Sequence, residues 1–255
     1  MRLSGHCAVV TGSTRGIGQA IAVRLAEEGA DVVVNYQKNR SSAEDTCDRI
    51  RKLGRRTIAV QADVSIVSEA QRLITDSVAA MGSVDILVNN AGIEINAGFL
   101  DVTEHDYHAV VEINMTGPFF STQAFARHRR ELKQSGKVIN ISSVHEELPF
   151  PHFTAYCMSK GGMKMMMRNL SIELAPLGIT INNIAPGAIE TPINQKLLHD
   201  PKLLGPLLDN IPLHRLGKTA DVASVAAFLA SSDADYITGT TIVVDGGLLW
   251  NYSEQ

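Results

Sequence analysis

Short runs of β-branched residues alternate with longer helical patterns along the whole of this 255-residue chain. The run at 31–35, Asp-Val-Val-Val-Asn, shows no alternation of apolar and polar residues. A parallel strand that helices cover on both faces has this appearance, and the run at 86–88 is of the same kind. The succession predicts an α/β fold built on a doubly wound parallel sheet of about seven strands, with helices on both faces.

The expected elements follow one another without a low-complexity linker or an internal repeat, so we predict a single domain over residues 1–255. Strands are expected at 7–11, 31–36, 57–61, 84–89, 137–142, 179–184 and 240–244. Helices are expected at 16–28, 42–53, 66–81, 103–131, 154–174 and 219–231.

The segment at 190–216 departs from this regularity because it is rich in leucine and proline. Its prolines break any long helix. Ligands of doubly wound sheets bind beyond the carboxyl ends of the strands. We therefore expect this segment to cover a site, either as a mobile lid or as a rigid helical hairpin.

Composition and charge exclude several classes of protein. The net charge is −4 and the basic residues are scattered, so no electrostatic footprint for nucleic acid or an anionic membrane is visible. The sequence contains no run of 18 continuous apolar residues, so it predicts no membrane span. Cys7, Cys47 and Cys157 form neither a disulfide framework nor a metal-ligand spacing. With no apolar signal region at the start, the chain is expected to be cytoplasmic and to hold no metal.

Three glycines lie between the first expected strand and the first expected helix, at Gly12, Gly16 and Gly18. A glycine turn in this place lets backbone N–H groups approach a pyrophosphate, which also feels the positive end of the helix. Glycines also serve tight packing, so the turn alone is a weak signal. Its spacing, Gly-x-x-x-Gly-x-Gly, is not the general dinucleotide fingerprint.

A tyrosine and a lysine, Tyr156 and Lys160, stand four residues apart in an expected helix, and Ser143 precedes the tyrosine by 13 residues. The four-residue spacing puts both side chains on one helix face. A tyrosine that acts as a base near neutral pH needs its pKa lowered by about two to three units. One positive charge at about 4 Å supplies roughly 4 kcal/mol at an effective dielectric constant near 20. The pair therefore predicts that Lys160 lowers the pKa of Tyr156.

Several further segments, in chain order, resemble the motifs of the short-chain dehydrogenase/reductase family. They are the glycine turn, Asp63 in Ala-Asp-Val, Asn-Asn-Ala-Gly at 89–92, Asn114 in 113–117, Ser142 with Ser143, Tyr156 with Lys160, and Pro186-Gly187 followed by Thr191. The matches run from residue 7 to about residue 247.

The resemblance implies a Rossmann-type sheet, a nicotinamide cofactor, a small-molecule substrate and a homotetramer. Asp63 would meet the adenine, Asn90 would border the cofactor, and Lys160 would bond the nicotinamide ribose. The backbone at Ile189, together with Thr191, would hold the carboxamide. The cofactor-binding residues expected in this way are Gly12, Arg15, Gly16, Ile17, Gly18, Asp63, Val64, Asn90, Lys160, Pro186, Gly187, Ile189 and Thr191.

Four residues are expected to carry the chemistry. General acid–base requirements make Tyr156 the group that takes the substrate proton and Ser143 the group that holds the substrate oxygen. The charge of Lys160 is expected to activate the tyrosine, and the resemblance adds Asn114 as the anchor of a water that links the lysine to solvent. Run backwards, the same set reduces a ketone.

The end of the second strand indicates which dinucleotide is accepted. It reads Asn-Tyr-Gln at 35–37 and offers no carboxylate for the ribose hydroxyls of NAD. Arg15, and Lys38 or Arg40, would meet the 2'-phosphate of NADP. We expect NADP to be accepted, with or without NAD. Gln37 weakens this expectation, since the glucose 1-dehydrogenase branch often has arginine there.

Segments 91–94, 142–149, 159–164 and 183–194 resemble that glucose 1-dehydrogenase branch. A sugar pocket needs directional polar groups, and Glu94, His145 and Glu146 follow strand ends. The expected substrate-binding residues are Glu94, Ser143, His145 and Tyr156. The same acidic and histidine side chains are equally compatible with solvent-facing loops. The alternatives are a 3-oxoacyl-thioester or other ketone reductase, and a cofactor-binding regulator without chemistry.

Overall fold

The computed structural model describes residues 1–192 and 200–251, in which seven parallel strands form one sheet. Their spatial order is β3-β2-β1-β4-β5-β6-β7, which confirms the predicted doubly wound parallel sheet. The strands are β1 Cys7–Val10, β2 Asp31–Tyr36, β3 Thr57–Gln61, β4 Ile86–Asn89, β5 Gly136–Ile141, β6 Ile179–Pro186 and β7 Thr241–Val244.

Helices cover both faces of this sheet, because the strands are apolar on both sides. Ala8 and Val10 of β1 belong to a core with the helices at 16–27, 40–52 and 219–230. Cys7 and Val9 belong to a second core with the helices at 67–81, 117–132 and 154–174. None of the helices in the described ranges is long and apolar enough to cross a membrane. The helices are α1 Gly16–Glu27, α2 Arg40–Lys52, α3 Val67–Met81, α4 Glu104–Val111, α5 Gly117–Leu132, α6 Thr154–Leu174, α7 Pro201–Asp209 and α8 Thr219–Ala230.

The single helix predicted at 103–131 is wrong, because a π-helical turn at Glu112–Thr116 separates α4 from α5. An α-helix would require the N–H of residue 118 to donate to the carbonyl of Asn114. Residue 118 is proline, which has no N–H. The chain widens instead, and Gly117 N donates to the carbonyl of Glu112, five residues back.

The carboxyl ends of the parallel strands meet at one edge of the sheet, where the segment at 190–216 begins. Ile189 pairs with Gly217 in an isolated parallel bridge, and Glu190 N donates to the carbonyl of Gly217 at 2.8 Å. These contacts hold the two ends of the segment together. Part of the lid or hairpin expected here, at 193–199, lies outside the described residues, and the part from Pro201 to Asp209 is α7.

Candidate active site

The glycine turn after β1 adopts a conformation that only glycine accepts easily. Gly12 has φ +61° and Gly16 has φ +57°, both in the left-handed region. At Gly18 a Cβ atom would lie 2.4 Å from Nδ2 of Asn90 and 2.6 Å from the carbonyl oxygen of Gly12. The turn therefore serves close packing between helix and strand and also brings backbone to the edge of the sheet.

Two asparagines hold this turn in place. Gly12 N donates to Oδ1 of Asn35 at 3.0 Å, and Nδ2 of Asn90 donates to the carbonyls of Thr11 and Gly12 at 2.9 and 3.2 Å. Asn90 was predicted to border the cofactor, and its amide binds the turn itself. Asn35 was not predicted as a site residue. Asn35 could have been recognised in the sequence because it is a polar residue near the end of a strand that is otherwise apolar.

The amino end of α1 suits a dinucleotide pyrophosphate. Within the described ranges no side chain caps its first turn, so the backbone N–H groups and the positive end of the helix dipole face the glycine turn. Arg15 is exposed immediately before the helix, and Ile17 packs against the core. These residues fit the cofactor that the sequence predicted.

Asp63 lies beyond the end of β3, where the adenine was expected. Nε2 of Gln37 donates to Oδ2 of Asp63 at 2.5 Å. Although burial opposes the effect, hydrogen bonds from Ser65 and Gln37 hold the pKa of Asp63 below its usual value, and the charge of Lys38 acts in the same direction. Val64 beside it is buried. Gln37 and Lys38 are exposed at this edge.

The segment after β6 crosses close to the glycine turn. Pro186 ends the strand, and a Cβ atom at Gly187 would lie 2.7 Å from Cβ of Asp245. Thr191 Cγ2 lies 3.9 Å from the position of a Cβ atom at Gly16, and Ile189 is buried. The structure thus brings the two segments predicted to bind the cofactor to the same place.

The predicted catalytic residues meet at the same edge of the sheet. Tyr156 and Lys160 are one turn apart near the start of α6. Ser143 follows β5 and precedes the short 3₁₀ turn at Val144–Glu146, and its side chain acts to lower the pKa of Tyr156. Nζ of Lys160 lies 5.5 Å from the centroid of the Tyr156 ring and donates to the carbonyl of Ile141 at 2.9 Å.

The predicted lowering of the Tyr156 pKa is wrong for this structure. Burial raises the pKa of Tyr156 to about 12, although the hydrogen bond with Ser143 acts to lower it. Burial also lowers the pKa of Lys160 to about 8, against the charges of Glu146 and Glu94. Desolvation penalises both charged forms, and it is the largest cause of each shift.

Asn114 lies in the π-helical turn, and its side chain is completely buried. Its Oδ1 accepts from Ile93 N at 2.9 Å, while its Nδ2 donates to the carbonyl of Ile93 at 2.9 Å and to Oγ of Ser159 at 3.0 Å. The side chain therefore fastens the loop after β4 to α6. The backbone carbonyl of Asn114 receives no hydrogen bond from residue 118, because that residue is proline.

Two predicted substrate-binding residues lie near Tyr156. Glu94 is exposed, yet the atoms packed around its carboxyl raise its pKa, and the charge of Lys160 opposes that rise. The His145 ring contacts Tyr156 edge-on, with 6.2 Å between the centroids. Its Nδ1 is 3.0 Å from the carbonyl of Leu148, and burial lowers its pKa although this hydrogen bond opposes the effect.

An aromatic stack that sequence reasoning missed supports His145. Its ring stacks on Phe150 with 4.2 Å between centroids, and Phe150 stacks on Phe153 at 4.1 Å. Both phenylalanines lie between the serine and tyrosine motifs. Their position between these two motifs was the sequence feature that could have identified them as site residues.

The sequence suggested that Glu146 faces a substrate, but in the structure it does not. Its side chain is only 2% exposed, and its carboxylate accepts hydrogen bonds from Ser142, Asn183 and Thr241. The reason is that the 3₁₀ turn after Ser143 directs this side chain back against the middle of β6 and the first residue of β7 rather than outward.

Comparison with known proteins places the chain in a family. A family profile described as enoyl-(acyl carrier protein) reductase matches residues 12–249. The chain is 42% identical to 3beta-hydroxysteroid dehydrogenase 1 of Eggerthella lenta over 246 residues, 96% of this chain and 94% of that protein. It is 39% identical to glucose 1-dehydrogenase 2 of Bacillus subtilis over 247 residues, 96% of this chain and 95% of that protein.

A solved structure has the same fold along almost the entire chain. The gluconate 5-dehydrogenase of Burkholderia cenocepacia, in complex with NADP and tartrate, superposes with a TM-score of 0.93 at 37% identity, covering 98% of both chains. Sequence, fold and the glycine turn beside Ser143, Tyr156 and Lys160 agree. The chain belongs to the short-chain dehydrogenase/reductase family and is an oxidoreductase that uses NADP or NAD and acts on CH–OH groups.

Proposed function

We propose that this oxidoreductase oxidises the anomeric hydroxyl of glucose or a related aldose to a lactone. The observation that carries the proposal is the position of Glu94. This carboxylate is exposed, and its charge acts on both Tyr156 and Lys160. A carboxylate beside the reacting groups is a strong acceptor for the hydroxyls of a sugar. The similarity to the Bacillus subtilis glucose 1-dehydrogenase supports the same choice.

In this proposal Ser143 holds the substrate oxygen by a hydrogen bond, and Tyr156 as phenolate takes its proton. Bound nicotinamide supplies hydride chemistry, because it accepts the hydride that leaves the carbinol carbon. Lys160 places its Nζ 5.5 Å from the centroid of the Tyr156 ring, and Asn114 holds the loop that carries Glu94. Since burial raises the pKa of Tyr156 to about 12, the phenolate fraction increases with pH and oxidation should become faster as the pH rises.

We propose that NADP is accepted and that Arg15 contributes to this preference. Arg15 is exposed at the start of α1, where a guanidinium reaches a phosphate readily. At the end of β2, Gln37 is directed towards Asp63 and offers no carboxylate to repel a 2'-phosphate. The related gluconate 5-dehydrogenase was solved with NADP.

The test follows the absorbance of reduced nicotinamide with aldoses, simple alcohols and an acetoacetyl thioester, using NADP and NAD at pH 7 and pH 9. Glucose should be oxidised, and faster at pH 9. Glu94→Gln should raise the KM for glucose about tenfold or more with little change in kcat, because hydrogen bonds to charged groups contribute about 1.5–3 kcal/mol.

Glu104→Gln is the matched control, since Glu104 is a surface acid on α4 with a 90% exposed side chain. It should leave the KM unchanged. Turnover confined to the thioester would end the aldose proposal, as would an unchanged KM for glucose in Glu94→Gln.

Reduction of a ketone is the second candidate, and the protonation of Tyr156 favours it. With a pKa of about 12, the phenol carries its proton at neutral pH and is ready to donate it to a carbonyl oxygen. The aromatic stack of His145, Phe150 and Phe153 gives this pocket an apolar wall. Reduction of thioester or ketone substrates without sugar oxidation would establish this candidate. Turnover of any substrate excludes the regulator without chemistry.

We propose a homotetramer, because α5 and α6 leave large apolar side chains in solvent. These are Phe119, Leu132, Met158, Met165 and Ile172. A surface with this much exposed apolar area marks an interface between protein chains. Trp250 near the chain end is also 73% exposed. Light scattering should give four times the 27.5 kDa mass of one chain, and a monomer mass would contradict the proposal.

We further propose that residues 1–255 act as one dinucleotide-binding and catalytic unit in the cytoplasm, with 190–216 over the substrate. Cys7, Cys47 and Cys157 are free thiols, which suits a reducing compartment. The pairing of Ile189 with Gly217 anchors the covering segment beside the proposed cofactor groove.

A further inference from the structure

We propose that Glu146 is a positioning residue whose buried carboxylate fixes the turn that carries Ser143 against Asn183 inside β6 and Thr241 at the start of β7. Oγ of Ser142 donates to its Oε2 at 2.6 Å, and Oγ1 of Thr241 donates to its Oε1 at 2.8 Å. Nζ of Lys164 lies 3.5 Å from Oε1. A buried carboxylate with this many donors is held in one orientation.

The carboxylate also orients a row of asparagines across the sheet. Asn89, Asn140 and Asn183 are register partners on β4, β5 and β6, and Thr241 follows on β7. Nδ2 of Asn89 donates to Oδ1 of Asn140 at 2.9 Å, and Nδ2 of Asn140 donates to Oδ1 of Asn183 at 3.0 Å. Nδ2 of Asn183 then donates to Oε2 of Glu146 at 3.3 Å.

A carboxylate only accepts hydrogen bonds, so Asn183 must present its NH₂ group to Glu146. Its oxygen then faces Asn140, which must in turn present its own NH₂ group, and the same holds for Asn89. One carboxylate therefore determines the direction of all three amides. Replacing it with a group that also donates would remove that constraint.

The network reaches the reacting groups through the serine turn. Glu146 N donates to the carbonyl of Ser143 at 3.0 Å and closes the turn. Oγ of Ser143 accepts from His145 N at 3.2 Å, and the same side chain acts on the pKa of Tyr156. The charge of Glu146, with that of Glu94, also favours the ammonium form of Lys160. Glu146 thus acts through Ser143 and Lys160 without contacting substrate.

Glu146→Gln keeps the size of the side chain but replaces one acceptor oxygen with a donor. The hydroxyls of Ser142 and Thr241 can rotate to suit it. The NH₂ group of Asn183 contacts Oε2 and the ammonium of Lys164 contacts Oε1, so the one remaining carbonyl oxygen cannot accept from both, and one of these donors loses its acceptor. We expect kcat to fall about tenfold with KM values within about twofold. The limb of the pH–kcat profile that reports Lys160 should move to lower pH, because the ammonium loses a stabilising charge.

Hydrogen exchange provides a readout that is independent of turnover, and so separates failure of this proposal from failure of the proposed substrate. Amides in 143–147 should lose protection in Glu146→Gln. Glu147→Gln is the matched control: Glu147 is the exposed neighbour that pairs with Lys164, and this change should leave kcat, the pH profile and exchange as in the wild type.

Thr241→Val removes one donor to Glu146 while keeping the side-chain shape, and it serves as the test if Glu146→Gln does not fold. It should reproduce the loss of protection in 143–147 together with a smaller fall in kcat. Unchanged exchange and kcat in the variants of residues 146 and 241 would overturn the proposal. So would a rise in substrate KM at constant kcat in Glu146→Gln, since that result would make Glu146 a direct substrate contact.

Discussion

Tyr156→Phe is expected to lower kcat by about 10²- to 10⁴-fold, the usual contribution of a positioned proton-transfer group, while the Kd for NADP stays nearly unchanged. The substitution removes only the hydroxyl oxygen that we propose exchanges the substrate proton. The ring beside Lys160 and the groove around the glycine turn remain. Steady-state kinetics together with calorimetric titration of NADP would measure both quantities.

Tyr107→Phe is the control for this change, because it removes one hydroxyl from a partly exposed tyrosine on α4. It should retain the activity of the wild type. A kcat for Tyr156→Phe within about tenfold of the wild type would contradict the role proposed for this tyrosine.

Lys160→Met is expected to change the pH dependence of stability as well as the rate. Burial lowers the pKa of Lys160 from its ordinary value near 10.5 to about 8 in the folded protein. At pH values between about 8 and 10.5, Lys160 is protonated in the unfolded chain but not in the native protein. The free energy of unfolding therefore rises with pH across this range. The wild type should therefore gain roughly 3 kcal/mol of unfolding free energy relative to Lys160→Met between pH 7 and pH 10.5.

Denaturant unfolding of both proteins at several pH values would measure this difference, in which the titration of Tyr156 and of other shared groups cancels. The variant should also lose most of its activity, because the proposed phenolate loses its neighbouring positive charge. A difference in stability that does not change with pH would show that Lys160 keeps an ordinary pKa in the folded protein.

The order of elements was predictable because it depends on local patterns. Runs such as 31–35 are apolar on both sides, and only a sheet covered on both faces accepts them. The break between α4 and α5 was missed although its cause is in the sequence. Pro118 cannot supply the hydrogen bond that Asn114 would need, and the helical pattern of 103–131 concealed this local defect.

The candidate site was predictable where spacing determines geometry. Tyr156 and Lys160 share a helix face because they are four residues apart, and Ser143 joins them because parallel strands end at one edge. The pKa of Tyr156 was not predictable, since the sequence gives the charge of its neighbour but not the loss of water around the phenol. The orientation of Glu146 was equally inaccessible, because its partner Thr241 lies 95 residues away.

A crystal structure of the protein with NADP and a substrate that it turns over tests the central proposal most directly. The proposal predicts Oη of Tyr156 and Oγ of Ser143 within hydrogen-bond distance, about 2.6–3.2 Å, of the same substrate oxygen. A substrate oxygen bound by other side chains, with Tyr156 out of reach, would contradict it.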